Sequence, residues 1–130
     1  MINSLDVLKL TNIKKINSMS TLRNKVALVG RTGIEPEVRN FENGRKFVRL
    51  TLATSESYRN KSGERVENTQ WHTVVAWGKL AGIFESYVSK GQEIMVEGKL
   101  ITRSYDDKNG DKKYFTEIEA SDVLLLGKKN

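Results

Sequence analysis

At 130 residues, 38% of them hydrophobic, the chain is long enough for one domain with a real core and too short for two ordinary ones. The lack of cysteine excludes a disulfide framework and any thiolate metal site, and the single His72 cannot build a zinc site of the usual kind. No run of about 18 apolar residues predicts a membrane-spanning helix, and no secretory signal pattern opens the sequence, so a cytoplasmic protein is expected. The net charge of +6 sits mostly at the ends: residues 1 to 24 carry +3 and Lys128 with Lys129 two more, leaving +1 for residues 25 to 127. A basic binding face must therefore come from where charges sit, not from their excess.

In chain order, residues 1 to 18 place Ile2, Leu5, Leu8, Ile13 and Ile16 at loosely helical spacing without a clear cap, and are expected to form a weakly structured extension or leader. An organelle-targeting presequence would carry arginines, but none precedes Arg23, and Asp6 is present. Met19 is expected to open the domain proper. Val26 to Val29 reads as a buried strand closed by Gly30-Arg31-Thr32-Gly33. No Gly-Lys-Ser/Thr follows those glycines, which favours a turn or barrel corner over a phosphate loop. A short extended piece follows Glu35-Pro36, and Asn43-Gly44 is a hairpin signal.

Lys46 to Ser55 alternates, with Val48, Leu50 and Leu52 on one face and Phe47, Arg49 and Thr51 on the other. The stretch from Tyr58 to Trp77 then opens as a polar, basic, glycine-containing loop and runs into a strand from Gln70. On that strand Trp71, Thr73, Val75 and Trp77 share one face, and His72, Val74 and Ala76 the other. Leu80, Ile83, Phe84, Tyr87 and Val88 predict an amphipathic helix, with Lys90 in its last turn and Gly91 just past its end. Glu93 to Arg103 returns to strand, interrupted at Gly98 by a bulge or sharp bend. A hairpin turn at Asp106 to Gly110 leads to a last strand over Lys113 to Leu126.

Three strands, one helix and two strands, with glycines at corners, predict an all-β fold: a five-stranded barrel of the oligonucleotide-binding type, its helix between strands three and four. Aromatics framing a cationic loop suit stacked bases joined by phosphates. Core packing is nonetheless the ordinary fate of a tryptophan, and a solvated loop that of Arg59, Lys61 and Arg65, so pattern alone leaves both choices open.

The blocks Asn24-Lys25-Val26-Ala27-Leu28-Val29-Gly30, Glu35-Pro36-Glu37-Val38-Arg39, Thr51-Leu52-Ala53-Thr54-Ser55-Glu56-Ser57, Trp71-His72-Thr73-Val74-Val75, Gly78-Lys79-Leu80-Ala81 and Val96-Glu97-Gly98-Lys99-Leu100 resemble, in order, those of bacterial single-stranded DNA-binding proteins. The resemblance runs from about residue 19 to 127. It implies a homotetramer of barrels, without cofactor, metal or enzymatic activity, that binds single-stranded DNA irrespective of sequence in replication, recombination and repair. Carried over by position, the base-stacking residues fall on Tyr58, Trp71, Trp77 and Tyr105, the last open to a simpler surface role. Phosphate contacts fall on Arg39, Arg59, Lys61, Arg65, Lys79 and Arg103, and His72 matches a subunit-interface histidine. The family usually continues into a flexible tail with an acidic tip that recruits other enzymes. This sequence reaches Gly127-Lys128-Lys129-Asn130, a short basic end, so recruitment through such a tail is in doubt.

Two other chemistries can be weighed. Asp106, Asp107, Asn109, Asp111 and Glu117 suggest a calcium loop, but Lys112 stands where that loop needs glycine, and Lys108 and Lys113 oppose a cation. A small nuclease would need paired carboxylates or a nucleophile and base at suitable spacing, which this sequence lacks. A barrel that binds protein or sugar is a third class, distinguished by its indifference to oligonucleotide.

Overall fold

A computed structural model describes residues 22 to 127. The expected leader over residues 1 to 18 and the basic end at 128 to 130 lie outside these residues. The elements are β1 (Val26–Thr32), β2 (Glu37–Asn40), β3 (Lys46–Arg59), β4 (Arg65–Trp77), α1 (Gly78–Tyr87), β5 (Glu93–Asp106) and β6 (Lys112–Leu125).

Five long strands close on themselves in the order β1, β5, β6, β4, β3, and back to β1. All pairings are antiparallel except β4 with β6, which run parallel at Val74 with Ile118 and Val75 with Glu119. Period-two alternation puts Val48, Leu50, Leu52, Val74, Ala76, Ile94, Val96, Ile118 and Ala120 inside the barrel. Closure removes the unpaired edges that an open sheet of these strands would present to other chains. Gly98 permits the bend needed for closure: a side chain there would lie 2.2 Å from the Glu119 carbonyl oxygen, and the β5–β6 register shifts at this point. The expected bulge is therefore present.

Several expectations are corrected. The extended piece after Pro36 is a strand in its own right, β2, folded back on β3 by the turn at Asn43 and Gly44. The helix consequently follows the fourth strand in chain order, and the third only if the long strands alone are counted. The apolar run in β1 is half-buried, because Ala27 and Val29 alternate outward.

Residues 58 to 70 are mostly strand, not loop. β3 and β4 pair without interruption from Phe47 with Trp77 to Arg59 with Arg65. The turn is compact because the Asn60 side chain accepts hydrogen bonds from the Ser62 and Glu64 amides, at 3.0 and 2.9 Å, and Gly63 takes φ +80°. In the β5–β6 turn Asp107 does the same for the Asn109 and Asp111 amides, which occupies its carboxylate locally.

Helix α1 closes one end of the barrel with Ala81 and Phe84 fully buried. Its inward stripe is Leu80, Ala81, Phe84 and Val88, while Ile83 and Tyr87, predicted to face the core, are exposed. The helix also ends before Lys90 and Gly91, so neither caps it. Val88 is already extended and buried, and a buried polar knot redirects the chain. Thr32 Oγ1 donates to the Ser89 carbonyl and accepts from the Gln92 amide, while the Gln92 side chain accepts from Ser89 N–H and donates to the Gly127 carbonyl. These bonds tie β1 to the start of β5, and among the described residues every buried side-chain polar atom finds a partner, which avoids the cost of an unmade hydrogen bond.

Candidate nucleic-acid interface

The outward faces of β3 and β4 and the neighbouring strands form a groove of about 450 Å³, lined by Glu37, Arg39, Phe41, Phe47, Arg49, Trp77, Arg103, Phe115 and Glu117. Alternation explains its chemistry. Phe47 and Arg49 point outward because Val48 and Leu50 are claimed by the core, and Phe47 lies directly across the ladder from Trp77. Arg103 lies directly across from Phe115 on the β5–β6 pair.

Trp77 is held on three sides. Its ring centroid is 4.7 Å from that of Phe47 and 6.0 Å from that of Phe41, with nearly parallel planes in the second case, and the Arg45 guanidinium lies 4.4 Å from it. Such contacts fix the indole and supply a cation over its π-face. Trp71 is different: it is 64% exposed, on the same β4 face, and presents its ring to solvent. Tyr105 reaches the groove edge beside Phe115, with centroids 6.0 Å apart.

Two ion pairs line the groove, one between β2 and β3 and one between β5 and β6. Arg49 Nη1 lies 3.1 Å from Glu37 Oε2, and Arg103 Nε lies 2.5 Å from Glu117 Oε1. The hydrogen bond that Arg103 donates to Glu117, and next the charge of Glu117, raises the Arg103 guanidinium above the ordinary arginine value. Arginine is charged at any working pH, so the consequence is fixed geometry and not a titration. Arg39, on β2, lines the same groove with no ion-pair partner among the described residues.

The structure thus brings Trp77, Arg39 and Arg103 together, with Trp71 and Tyr105 at the margins. Lys79 is exposed in the first turn of α1, two residues beyond Trp77. The remaining candidates lie on the β3–β4 hairpin. Arg59 and Arg65 face one another directly across the ladder, on the parity of Trp71, and Lys61 sits exposed at the tip. Arg59 Nη1 donates to the Gly63 carbonyl at 2.9 Å and Arg65 Nη2 to Ser57 Oγ at 3.5 Å. Like charges placed directly opposite repel, so this pair favours an anion between or above them.

Tyr58 takes the other face of the ribbon. The uninterrupted register gives it the parity of Leu52 and Thr54, opposite to Trp71. His72 shares that side, where its Nε2 lies 3.0 Å from Thr54 Oγ1. Tyr58 and Trp71 therefore flank the hairpin on two sides instead of lining one surface.

Sequence reasoning assigned no nucleic-acid role to Phe41, Arg45, Phe47, Arg49, Phe115, Glu37 or Glu117, and weighed Glu117 only as a calcium-loop ligand. For Phe47 and Arg49 the outward parity was available; Phe41 and Arg45 belong to a turn, where no periodicity marks them.

A closed barrel capped by one helix, with an aromatic and cationic groove on its outer wall, defines a protein that can stack planar rings while pairing with anions. Comparison agrees. The pattern of the Single-strand binding protein family matches residues 23–126, and the chain belongs to that family. It is 51% identical over 108 residues to "Single-stranded DNA-binding protein 1" of Chlorobaculum tepidum, covering 82% of this chain and 67% of that one. Among solved structures, the Plasmodium falciparum protein in complex with single-stranded DNA superposes with a TM-score of 0.73 at 33% identity, covering 79% of this chain and 94% of that one. A deletion mutant of the single-stranded DNA-binding protein from Thermus aquaticus gives 0.68 at 31%, with 79% of this chain and 50% of that one covered.

Proposed function

We propose that this protein binds single-stranded DNA without sequence preference, protecting it during replication, recombination and repair, and acts as a binding protein and not an enzyme. Bases stack on Trp71, Trp77, Tyr105 and Tyr58, and phosphates pair with Arg39, Arg59, Lys61, Arg65, Lys79 and Arg103. The observation that carries this reading is the exposed Trp71 ring on the same strand face as Trp77 and its groove of arginines. A largely solvent-facing indole gains little from folding and much from a stacking ligand, about 1 to 3 kcal/mol per base. Because every base offers a π-face, such contacts do not read sequence.

The binding unit is residues 19 to 127, and four copies assemble with His72 at a subunit interface, in the cytoplasm beside the nucleoid. The position of His72 on the side away from Trp71 supports that role. Fluorescence titration with poly-dT at two salt concentrations tests binding, stacking and charge together. Quenching that weakens steeply with salt is expected, and no quenching at either salt concentration would refute the reading. Light scattering that gave a monomer at micromolar concentration would refute the tetramer.

A further inference from the structure

The groove holds three arginines but also two carboxylates, for a charge of only +1. Neither carboxylate is incidental. Glu37 and Glu117 come from different strands, and each is paired with a groove arginine, Arg49 and Arg103 respectively. The Glu117 side chain is only 7% exposed, with Arg103 covering it, whereas Arg103 is itself 47% exposed and can be reached from solvent. Arg39, the third, has no such partner among the described residues. Burying a carboxylate beside a groove that must receive phosphates opposes binding unless the pair has another use.

We propose that Glu37 and Glu117 are resident counter-anions of the groove, which hold the Arg49 and Arg103 side chains in place and compete with phosphate for them. The inference rests on the single-strand reading above. With no ligand, the carboxylates keep two long side chains from wandering over the aromatic surface. When a phosphate approaches, a guanidinium must share or exchange its partner, and the freed carboxylate collects a solution cation. Binding then releases fewer ions than the number of phosphates contacted would suggest, which flattens the salt dependence and holds affinity below its ceiling. A protein whose ligand must be handed on to other enzymes gains from that reversibility.

The test is fluorescence titration with a short oligo-dT across a salt series, using Glu37→Gln, Glu117→Gln and, as control, Glu42→Gln in the β2–β3 turn. Glu42, next in sequence to the groove residue Phe41, carries the same charge and has no ion pair among the described residues. Glu37→Gln is expected to tighten binding about 2- to 5-fold, the size of an exposed ion pair, and to steepen the log–log slope by up to about 0.7. Glu42→Gln should leave the slope unchanged. Glu117→Gln keeps a hydrogen-bond acceptor for Arg103 and is expected to act in the same direction, provided its thermal melt shows it folded; Glu37→Gln, on an exposed residue, decides the matter if it does not. Unchanged or weaker binding by Glu37→Gln, or an equal slope change in Glu42→Gln, overturns the inference. If the wild type fails to bind at all, the single-strand reading falls first; wild-type binding with an unaltered Glu37→Gln sinks only the counter-anion role.

Discussion

Gly33 is the seat of Trp71. A β-carbon at Gly33 would lie 2.5 Å from Trp71 Cζ3 and 2.6 Å from Thr51 Oγ1, so the indole lies against backbone at this corner and could not do so against any other residue. Gly33→Ala is expected to push the ring aside and change its fluorescence in the free protein. Oligonucleotide affinity should fall about tenfold, the lower part of what one stack contributes. An unchanged emission spectrum with unchanged affinity would show that the contact is not a seat.

The two tryptophans should separate on mutation. Trp71→Ala removes a ring that is 64% exposed and packs mainly on the Gly33 corner, so it should lower denaturant stability less than Trp77→Ala does while weakening binding to all base compositions alike. Trp77→Ala also removes the contacts with Phe41, Phe47 and Arg45, so both urea midpoint and affinity should drop. Binding losses that depended on base identity would argue against a sequence-indifferent groove.

On the hairpin, the facing of Arg59 and Arg65 opposes folding and favours an anion. Arg59→Ala is therefore expected to leave stability unchanged or raise it by a few tenths of a kcal/mol, from the relief of cross-strand repulsion. The same change should weaken oligonucleotide binding and reduce the magnitude of the salt slope by about 0.7. Opposite signs for stability and affinity would mark a charge kept for its ligand.

In the core, Phe84 is completely buried where α1 closes the barrel. Phe84→Ala should cost about 3 to 5 kcal/mol in a urea titration, because the barrel end cannot collapse around the missing ring. A loss below about 1 kcal/mol would mean that the helix is dispensable to the fold.

Much of this was legible in residues whose periodicity served a single purpose. Val48, Leu50 and Leu52 fixed an inward face, and Trp71, Thr73, Val75 and Trp77 fixed an outward one. Both alternations survive in the structure because the β3–β4 ladder has no bulge between them, although Val75, on the outward side, is fully buried. Ile83 and Tyr87 misled for a physical reason: they keep helical spacing, but the barrel mouth accepts only a narrow stripe through Phe84, and the neighbouring turn of helix faces outward. Residues 58 to 70 looked like a loop because their side chains are polar on both sides, as befits a ribbon projecting beyond the core with no interior to mark its strands. The same lack of an interior concealed that Tyr58 and Trp71 occupy opposite faces. The Glu117 partnership with Arg103 spans 14 residues and two strands, and nothing local announces it.

The parallel contact between β4 and β6 is the shortest run of pairing beside the groove, confined to Val74 with Ile118 and Val75 with Glu119, against thirteen paired positions between β3 and β4. The groove draws its walls from both sides of that seam, Trp77 and Phe47 on one and Phe115 and Glu117 on the other. A strand of nucleic acid lying there would act as a splint across a two-residue seam of the barrel wall, as short as the one that joins β1 to β3. Occupancy should thus register as slowed amide exchange at Val74, Val75, Ile118 and Glu119, deep in the wall and away from any contacted phosphate, so that the barrel reports its cargo through its own rigidity.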